Sequence, residues 1–243
     1  MTELVIREVA KDVWIFSKPF SRMGMPFGGR STAIKLQNGG VWVLASTPLD
    51  DATKTKLSEL GPVQRVSMYI IGADAVHHLF LTEFKTAYPH AKLIAPQDAI
   101  KRHNNKELKF DGAWGLDASD TKYGFEDEIK HCYFSGFINK DVAFLHEASK
   151  SMIQADLLLN LPGTEQYSKS SASGKVPIIG SLGPQSWLHP RFTWSMGMDK
   201  EAMKTAAKTV DGWDFQRIIP CHGDVIEKDA KQAWKDAYKF FLD

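Results

Sequence analysis

Two adjacent histidines, His77 and His78, stand where side chains often carry chemistry. They close residues 72–78, which join an apolar stretch that predicts a buried strand to a stretch that predicts a helix. Such junctions point side chains into a crevice, and imidazole is a common metal ligand and acid–base group. Adjacent helical residues diverge by about 100°, so both rings can reach one metal ion only in the first helical turn. The alternative is that one histidine is buried and hydrogen-bonded while the other is exposed.

Two further candidate residues directly follow predicted strands. His222 lies past the apolar residues 216–220 and before Gly223, which permits a close backbone approach, so it suits a metal ligand or an acid–base group. It also fits an ordinary loop histidine. Asp156 follows the apolar residues 151–155 and precedes three leucines, and a carboxylate in such surroundings is costly to bury alone. Asp156 therefore either faces a cation such as a metal ion or caps the following turn.

The remaining histidines and the cysteines give weaker indications. His146 alternates with apolar residues, which predicts a hydrogen-bonded core position, and His189 lies beside a predicted loop. Surface positions without a role are predicted for His90, His103 and His131. Cys132 and Cys221 lack the paired spacing of a zinc ribbon. The sequence also lacks the motifs of a phosphate-binding loop, a dinucleotide fold and a nucleophile elbow.

Hydrophobic periodicity predicts the elements that position these residues. Strands are predicted at residues 4–9, 13–17, 32–36, 41–45, 65–71, 92–95, 129–134, 142–146, 151–155 and 216–220. Helices are predicted at residues 51–60, 76–88, 97–103, 199–210 and 229–241. Residues 163–183 are rich in Gly, Ser, Lys and Pro, which predicts a long mobile loop. The order of elements indicates two similar halves that form one sandwich.

The composition is that of an ordinary globular chain. Hydrophobic residues make up 43% and charged residues 24% of 243 residues, which excludes a disordered chain and fits one domain over residues 1–243. The net charge of +1 argues against a nucleic-acid partner, because phosphate neutralisation needs clustered basic residues. No apolar run reaches the ~18 residues of a membrane span. Two cysteines suit a reducing compartment, so we expect a cytoplasmic protein without a membrane partner.

Six groups of residues form a recognisable pattern: Thr32–Leu36 with Gly39–Val43, His77–Pro89, Ala143–His146 with Ser149, Ala155–Asn160, Trp213–Phe215, and Cys221–Asp224. This pattern covers most of the chain. It resembles the metallo-β-lactamase fold and, within it, a divergent family of uncharacterised fungal and bacterial proteins, the DUF4336 family. The resemblance implies an α+β fold, a four-layered αβ/βα sandwich with its site at one edge of the two sheets.

Hydrolytic members of that superfamily carry a His-x-His-x-Asp-His motif, which holds two metal ions together with later His, Asp and His residues. Aligned on this sequence, the motif puts Ala73 and Ala75 at its first two histidines, and residues 136–139, where the third belongs, contain no histidine. The resemblance therefore implies that the first metal site is lost. Two-metal hydrolysis is disfavoured, because a bridging hydroxide needs both ions.

The same alignment retains most of the second metal site. It places His78 on the last histidine of the motif, Asp156 on the bridging aspartate and His222 on the final histidine. These three residues are the predicted ligands of one divalent metal ion, either Zn or Fe. His77 occupies the aspartate position of the motif, and it is predicted to be catalytic, either as a fourth ligand or as the general base.

The predicted function is a metal-dependent hydrolase that acts on a small-molecule substrate such as a lactone, an ester or a thioester. The loop at residues 163–183 would cover the pocket, with Trp187 and Trp194 as apolar walls. Two alternatives remain open. One is a mononuclear non-haem iron oxidoreductase or lyase that uses the same ligands, and the other is a metal-free, non-catalytic binding protein. The sequence does not indicate the oligomeric state.

Overall fold

Two β-sheets pack face to face in the computed structural model, which describes residues 3–22, 24–61, 67–175 and 182–243. The first nine strands along the chain are β1 (Val5–Ala10), β2 (Val13–Lys18), β3 (Ser21–Arg22), β4 (Met25–Pro26), β5 (Gly29–Lys35), β6 (Val41–Leu44), β7 (Met68–Ile71), β8 (Lys92–Pro96) and β9 (Gly112–Trp114). Strands β3 and β4 form a separate hairpin, and the other seven form the larger sheet in the order β1-β2-β5-β6-β7-β8-β9. Pairing is antiparallel from β1 to β6 and parallel from β6 to β9.

The smaller sheet has four strands, and helices accompany both sheets. Its strands, in spatial order, are β10 (Ile129–Tyr133), β11 (Val142–His146), β12 (Ser151–Gln154) and β13 (Arg217–Pro220). The described helices are α1 (Asp51–Leu60), α2 (Leu81–Ala87), α3 (Gln97–Arg102), α4 (His189–Met196), α5 (Lys200–Asp211) and α6 (Ala230–Leu242). None of the helices in the described residues is long and apolar enough to cross a membrane.

Three hydrophobic clusters show how these layers are stacked. Between the sheets, Trp42 of β6 meets Phe144 of β11 with ring centroids 5.0 Å apart. Phe84 of α2 belongs to a second cluster on the outer face of the larger sheet, and Trp234 of α6 to a third on the outer face of the smaller sheet. The central strands of both sheets, such as β6, β7, β11 and β12, are buried on both faces because both faces are covered. The molecule is therefore the α+β, four-layered sandwich that the resemblance implied.

The helix predicted at residues 76–88 begins only at Leu81. The carboxylate of Asp74 accepts hydrogen bonds from the backbone N–H groups of Val76 and His77, at 2.7 and 2.8 Å. An aspartate that bonds its own following backbone favours a turn over a helix. His77 and His78 consequently lie in a turn, where neighbouring rings can point to different places.

The loop predicted at residues 163–183 is only partly described, because residues 176–181 lie outside the described residues. Its beginning is anchored to the rest of the fold. Glu165 accepts hydrogen bonds from Arg7 and Ser17 at 2.7 and 2.8 Å, and the buried Gln166 bonds the backbone on both sides of His222. These contacts do not fit a mobile loop at residues 165–166.

Candidate metal centre

Three side chains bring one potential ligand atom each to a common point. His77, Asp156 and His222 offer atoms that all lie within 4.8 Å of one another. The Nε2 atoms of the two histidines are 3.1 Å apart, and Nε2 of His222 lies 3.3 Å from Oδ1 of Asp156. This cluster contains three of the four residues that the sequence analysis singled out.

The topology explains why Asp156 and His222 meet although they are far apart in sequence. Strands β12 and β13 are parallel neighbours, with Gln154 opposite Pro220. Asp156 and His222 each lie two residues beyond those partners, so they leave the same edge of the sheet side by side. His77 reaches the same point from the turn after β7.

His77 is oriented by a buried carboxylate. Its Nδ1 lies 3.0 Å from Oδ2 of Asp74, a side chain with no solvent exposure. A ring that donates Nδ1–H to a carboxylate directs Nε2 away from it, which is how proteins orient metal-binding histidines. The Asp74–His77 pair therefore presents Nε2 to the cluster.

His222 is oriented in the same way by a backbone carbonyl. Its Nδ1 donates to the carbonyl oxygen of Gly28 at 2.6 Å, and its ring stacks on Phe20 with an interplanar angle of 22°. Both histidines thus use Nδ1 for an oriented hydrogen bond and leave Nε2 for the shared point.

A buried arginine holds the turn that carries His222. Arg30 has no exposed side-chain surface, and its Nη1 donates to the carbonyl oxygens of Pro220 and Gly223 at 2.7 and 2.6 Å. Its charge is paired with Glu165 at 3.3 Å. Arg30 therefore fixes the backbone on both sides of His222.

Asp156 is held by polar groups from the chain between β10 and β11. Asn139 donates to its Oδ2 at 2.7 Å, and the backbone N–H of Asp156 donates to Oδ2 of Asp141 at 2.6 Å. The second oxygen of Asp141 is buried without a partner among the described residues. The buried carboxyl groups of Asp74 and Asp141 and the partly buried one of Asp156 therefore all act on the charge of His77.

The electrostatics show that this cluster needs a positive charge. Burial opposes the charged form of His77, but the charges of Asp74 and Asp156 outweigh it and raise its pKa to about 10. Burial and the neighbouring charge of His77 lower the pKa of His222 to about 3. Burial raises the pKa of Asp156 to about 6 and the pKa of Asp141 well above its usual range. A proton on Nε2 of His77 supplies this positive charge and donates a hydrogen bond to Nε2 of His222. A divalent metal ion would supply the positive charge in place of that proton.

The donor atoms fit a divalent transition-metal ion. Two imidazole nitrogens and one carboxylate oxygen form a set that suits Zn²⁺ and Fe²⁺. Asp74 and the carbonyl of Gly28 already supply the outer hydrogen bonds that such ligands require. The chain therefore presents a site that one such ion could occupy.

The structure does not bring His78 to this point. Its Nδ1 faces Nδ1 of His103 at 3.3 Å, and Nε2 of His103 lies 2.9 Å from Oγ1 of Thr82. His77 thus occupies the position in the cluster that the sequence analysis predicted for His78. His103 is only 4% exposed, so its predicted surface position is wrong, and no pattern around His103 in the sequence indicates this burial.

The cluster lies in the wall of a cavity of about 640 Å³. The other described lining residues are mostly apolar and include Phe20, Met25, Phe27, Leu159, Leu161, Leu182, Phe192 and Met196. Phe192 and Met196 belong to α4, a helix that the sequence analysis did not predict. Trp187 and Trp194, predicted as walls, are not among the lining residues and are 67% and 40% exposed.

Two other histidines, His146 and His189, are buried and hydrogen-bonded within the fold. His146 is buried and its Nδ1 lies 2.8 Å from the hydroxyl of Ser149, which matches the predicted core position. His189 has no exposed surface; its ring bonds the backbone of Leu159 and the hydroxyl of Thr193. Burial lowers the pKa of His189 to about 4, so its ring is neutral.

Comparison with known proteins shows the fold but no close relative. No protein-family model matches the sequence, and no curated protein matches it. Its structure is similar to a metallo-β-lactamase from Erythrobacter litoralis (TM-score 0.63, 12% identity, 99% and 97% of the two chains covered). It is also similar to a metallo-β-lactamase from Pontibacter korlensis (0.62, 11%, 99% of both chains) and to FIM-1 from Pseudomonas aeruginosa in its mono-zinc form (0.61, 12%, 100% and 98%). The chain thus has the predicted metallo-β-lactamase fold, and the narrower assignment to the DUF4336 family stays a prediction.

Proposed function

We propose that this chain, which has the metallo-β-lactamase fold, is a metal-dependent hydrolase of a small lactone, ester or thioester. One divalent ion, zinc or iron, is held by His77, Asp156 and His222. The observation that carries the proposal is the convergence of these three ligand atoms within 4.8 Å in the wall of a mostly apolar cavity. A fold alone does not specify chemistry, so the function is inferred from the residues of the site.

The donor set supports chemistry on a carbonyl group. A divalent ion with three protein ligands and an open position polarises a carbonyl oxygen and lowers the pKa of water toward neutral. His77 and His222 would bind it through Nε2, because Asp74 and the Gly28 carbonyl occupy their Nδ1 atoms. Asp156 contributes the one negative charge of the ligand set.

The cavity residues would bind the substrate and move protons. The apolar walls hold the acyl or ring part of the substrate and exclude water. Nδ1 of His77 is bonded to Asp74 and its Nε2 is the proposed ligand atom, so neither nitrogen is free to transfer protons. We therefore assign general acid–base catalysis to His78, which lines the same cavity. Burial and the neighbouring His103 lower the pKa of His78, so its ring is neutral at neutral pH and can accept a proton.

A reconstitution experiment tests this function. The protein is stripped with a chelator, loaded with Zn²⁺ or Fe²⁺, and assayed on p-nitrophenyl esters, γ-lactones and acyl thioesters. We expect the loaded protein to hydrolyse at least one class at least about 100-fold faster than the stripped protein. The His222→Ala variant is the matched control and should show no metal-dependent rate. The absence of metal-dependent hydrolysis across the panel would contradict the proposal.

The ligand set itself favours a second candidate function. Two histidines and one carboxylate with open positions are also the donor set of non-haem Fe²⁺ oxygenases. Oxygen consumption by the Fe²⁺-loaded protein, without hydrolysis by the Zn²⁺-loaded protein, would favour an oxidoreductase. A folded protein that binds neither ion would favour the metal-free binding protein.

A reducing compartment such as the cytoplasm fits this proposal. Cys132 and Cys221 are both free. Burial raises the pKa of Cys132 to about 12 and that of Cys221 well above its usual range. Both thiols are therefore unreactive at neutral pH. The proposed partner is a small-molecule substrate.

A further inference from the structure

We propose that the substrate carries an anionic group, a carboxylate, which is bound by Arg22 and Arg102 in the same cavity. The inference rests on the proposed function in that the metal centre marks the reacting end of the substrate. It adds the chemical class of the other end: an apolar body that ends in a carboxylate.

The first observation is that these two arginines lack partners. Within the described parts of the chain, the side chains of Arg22 and Arg102 have no hydrogen bond, ion pair or ring contact, and both residues are exposed. The other described arginines all have such a partner: Arg7 has Glu165, Arg30 has Glu165, Arg191 has Trp187 and Arg217 has Ser151. Two guanidinium groups are thus available to a ligand.

The second observation is their position. Arg22, on the hairpin strand β3, and Arg102, at the end of α3, both line the 640 Å³ cavity that contains the candidate metal centre. They come from separate segments of the chain, and both belong to the lining of this one cavity.

The third observation is the charge balance of the lining. Among the described lining residues, Asp156 is the only acidic one, and it is bonded to Asn139 and His222. The two arginines therefore have no internal carboxylate to neutralise them. With a divalent ion in the metal centre, the cavity would be more positive still, which favours an anionic ligand.

The chemistry of the groups selects a carboxylate on an apolar body. Guanidinium presents paired N–H donors that match the two oxygens of a carboxylate, and such charge-assisted bonds are stronger than neutral ones. The remaining walls are mostly apolar, so they favour a hydrocarbon chain or ring over a polar one. A volume of about 640 Å³ accommodates a ligand of small-metabolite size.

Binding of two probes tests the inference directly. Octanoate and octanamide have the same hydrocarbon body and differ in the charge of the head group. Their dissociation constants are measured by calorimetry on the full chain, both as purified and after treatment with a chelator. The chelator arm separates binding by the arginines from coordination to a metal ion. We expect the protein to bind octanoate at least about tenfold more tightly than octanamide in both arms.

Variants assign that preference to the arginines. Arg22→Gln and Arg102→Gln should each weaken octanoate binding about threefold, and the double variant should abolish the preference while octanamide binding stays within about twofold. Arg191→Gln, which changes an exposed arginine outside the cavity lining, is the control and should bind both probes like the parent protein.

Three results would overturn the inference: equal binding of the two probes by the parent protein, a preference that persists in the double variant, or binding of neither probe at millimolar concentration. Each is distinct from a failure of the proposed hydrolase, because the probes are not hydrolysed and the chelator arm needs no metal. Hydrolysis without a carboxylate preference would overturn this inference alone.

Discussion

The imidazoles of His77 and His222 face each other through their Nε2 atoms at 3.1 Å, while the Nδ1 atom of each is bonded to a protein acceptor. Two neutral rings in this arrangement would point two lone pairs at each other. The pair is therefore stable only with a cation between or on the rings: a proton on His77 or a metal ion shared with Asp156. Proton and metal compete for the same atoms, so metal binding should release a proton.

Removal of His222 should abolish metal binding and leave the fold in place. In the His222→Ala variant, Arg30 and Gln166 still hold the backbone of the turn through Pro220, Cys221 and Gly223. We expect metal affinity to fall more than about 100-fold, since a lost ligand should cost at least as much as a lost outer hydrogen bond. Calorimetric titration and circular dichroism measure the two effects.

The control for that experiment is His146→Ala. His146 is also a buried imidazole with one side-chain partner, Ser149, but it does not belong to the cluster. We expect this variant to lose stability and keep its metal. A His222→Ala protein that loses stability and keeps its metal would instead assign His222 a structural role.

His77 and His78 should respond differently to the same change. His77→Ala removes a ring whose Nε2 lies at the cluster, whereas His78→Ala removes a ring that faces His103. We expect His77→Ala to lose metal binding and His78→Ala to bind metal within about threefold of the parent while hydrolysis slows at least about 100-fold. Metal content and hydrolysis rate are measured on both variants. Loss of metal by His78→Ala alone would return the ligand role to His78.

Arg30 should contribute strongly to stability. Arg30→Met leaves Glu165 without one of its charge partners and two buried carbonyl groups without donors. Breaking a buried ion pair from one side costs about 3 kcal/mol or more, so we expect a loss of that size in the free energy of unfolding measured with denaturant. Arg191→Met, at an exposed arginine, should change it by less than about 0.5 kcal/mol. Equal effects in the two variants would show that the hydrogen bonds from Arg30 to the backbone around His222 are dispensable for stability.

The buried His189 should make the protein less stable in acid. Its pKa falls from 6.5 to about 4 on folding because burial opposes the charged ring. Between these pH values His189 is protonated in the unfolded chain and neutral in the folded chain. The free energy of unfolding therefore keeps its full value above pH 6.5 and falls as the pH drops toward 4. The full effect is about 3 kcal/mol.

A titration of stability against pH isolates this contribution. His189→Gln keeps a polar side chain and removes the titrating group. With a chelator present to exclude metal effects, the variant should show a shallower loss of unfolding free energy between neutral pH and pH 4. Identical slopes for the variant and the parent would contradict the assignment.

The sequence predicted the layers of the fold better than the geometry of the site. Strands buried on both faces produce continuous apolar runs, and β11 (Val142–His146) was predicted with its observed bounds. Asp156 and His222 were recognised because each follows such a strand. Helix α4 was missed although Pro190 stands in its first turn, where proline is favoured, because the neighbouring residues lack helical periodicity.

The sequence pattern could not show that His77, rather than His78, points into the cluster, and the reason is physical. Adjacent residues diverge, and which ring turns inward depends on the local backbone. The hydrogen bonds from Val76 and His77 to Asp74 set that backbone and delay the helix to Leu81. The burial of His103 depends on contacts with His78 and Thr82 that form only in the folded chain.

The metal content of the purified protein tests the central claim most directly. The chain is produced without an affinity tag, and zinc and iron are measured per mole of protein before and after dialysis against either ion. The convergence of His77, Asp156 and His222 predicts close to one equivalent of ion in the parent protein and almost none in His77→Ala. A folded parent protein that neither contains nor takes up an ion, or one that binds it equally well without His77, would contradict the account.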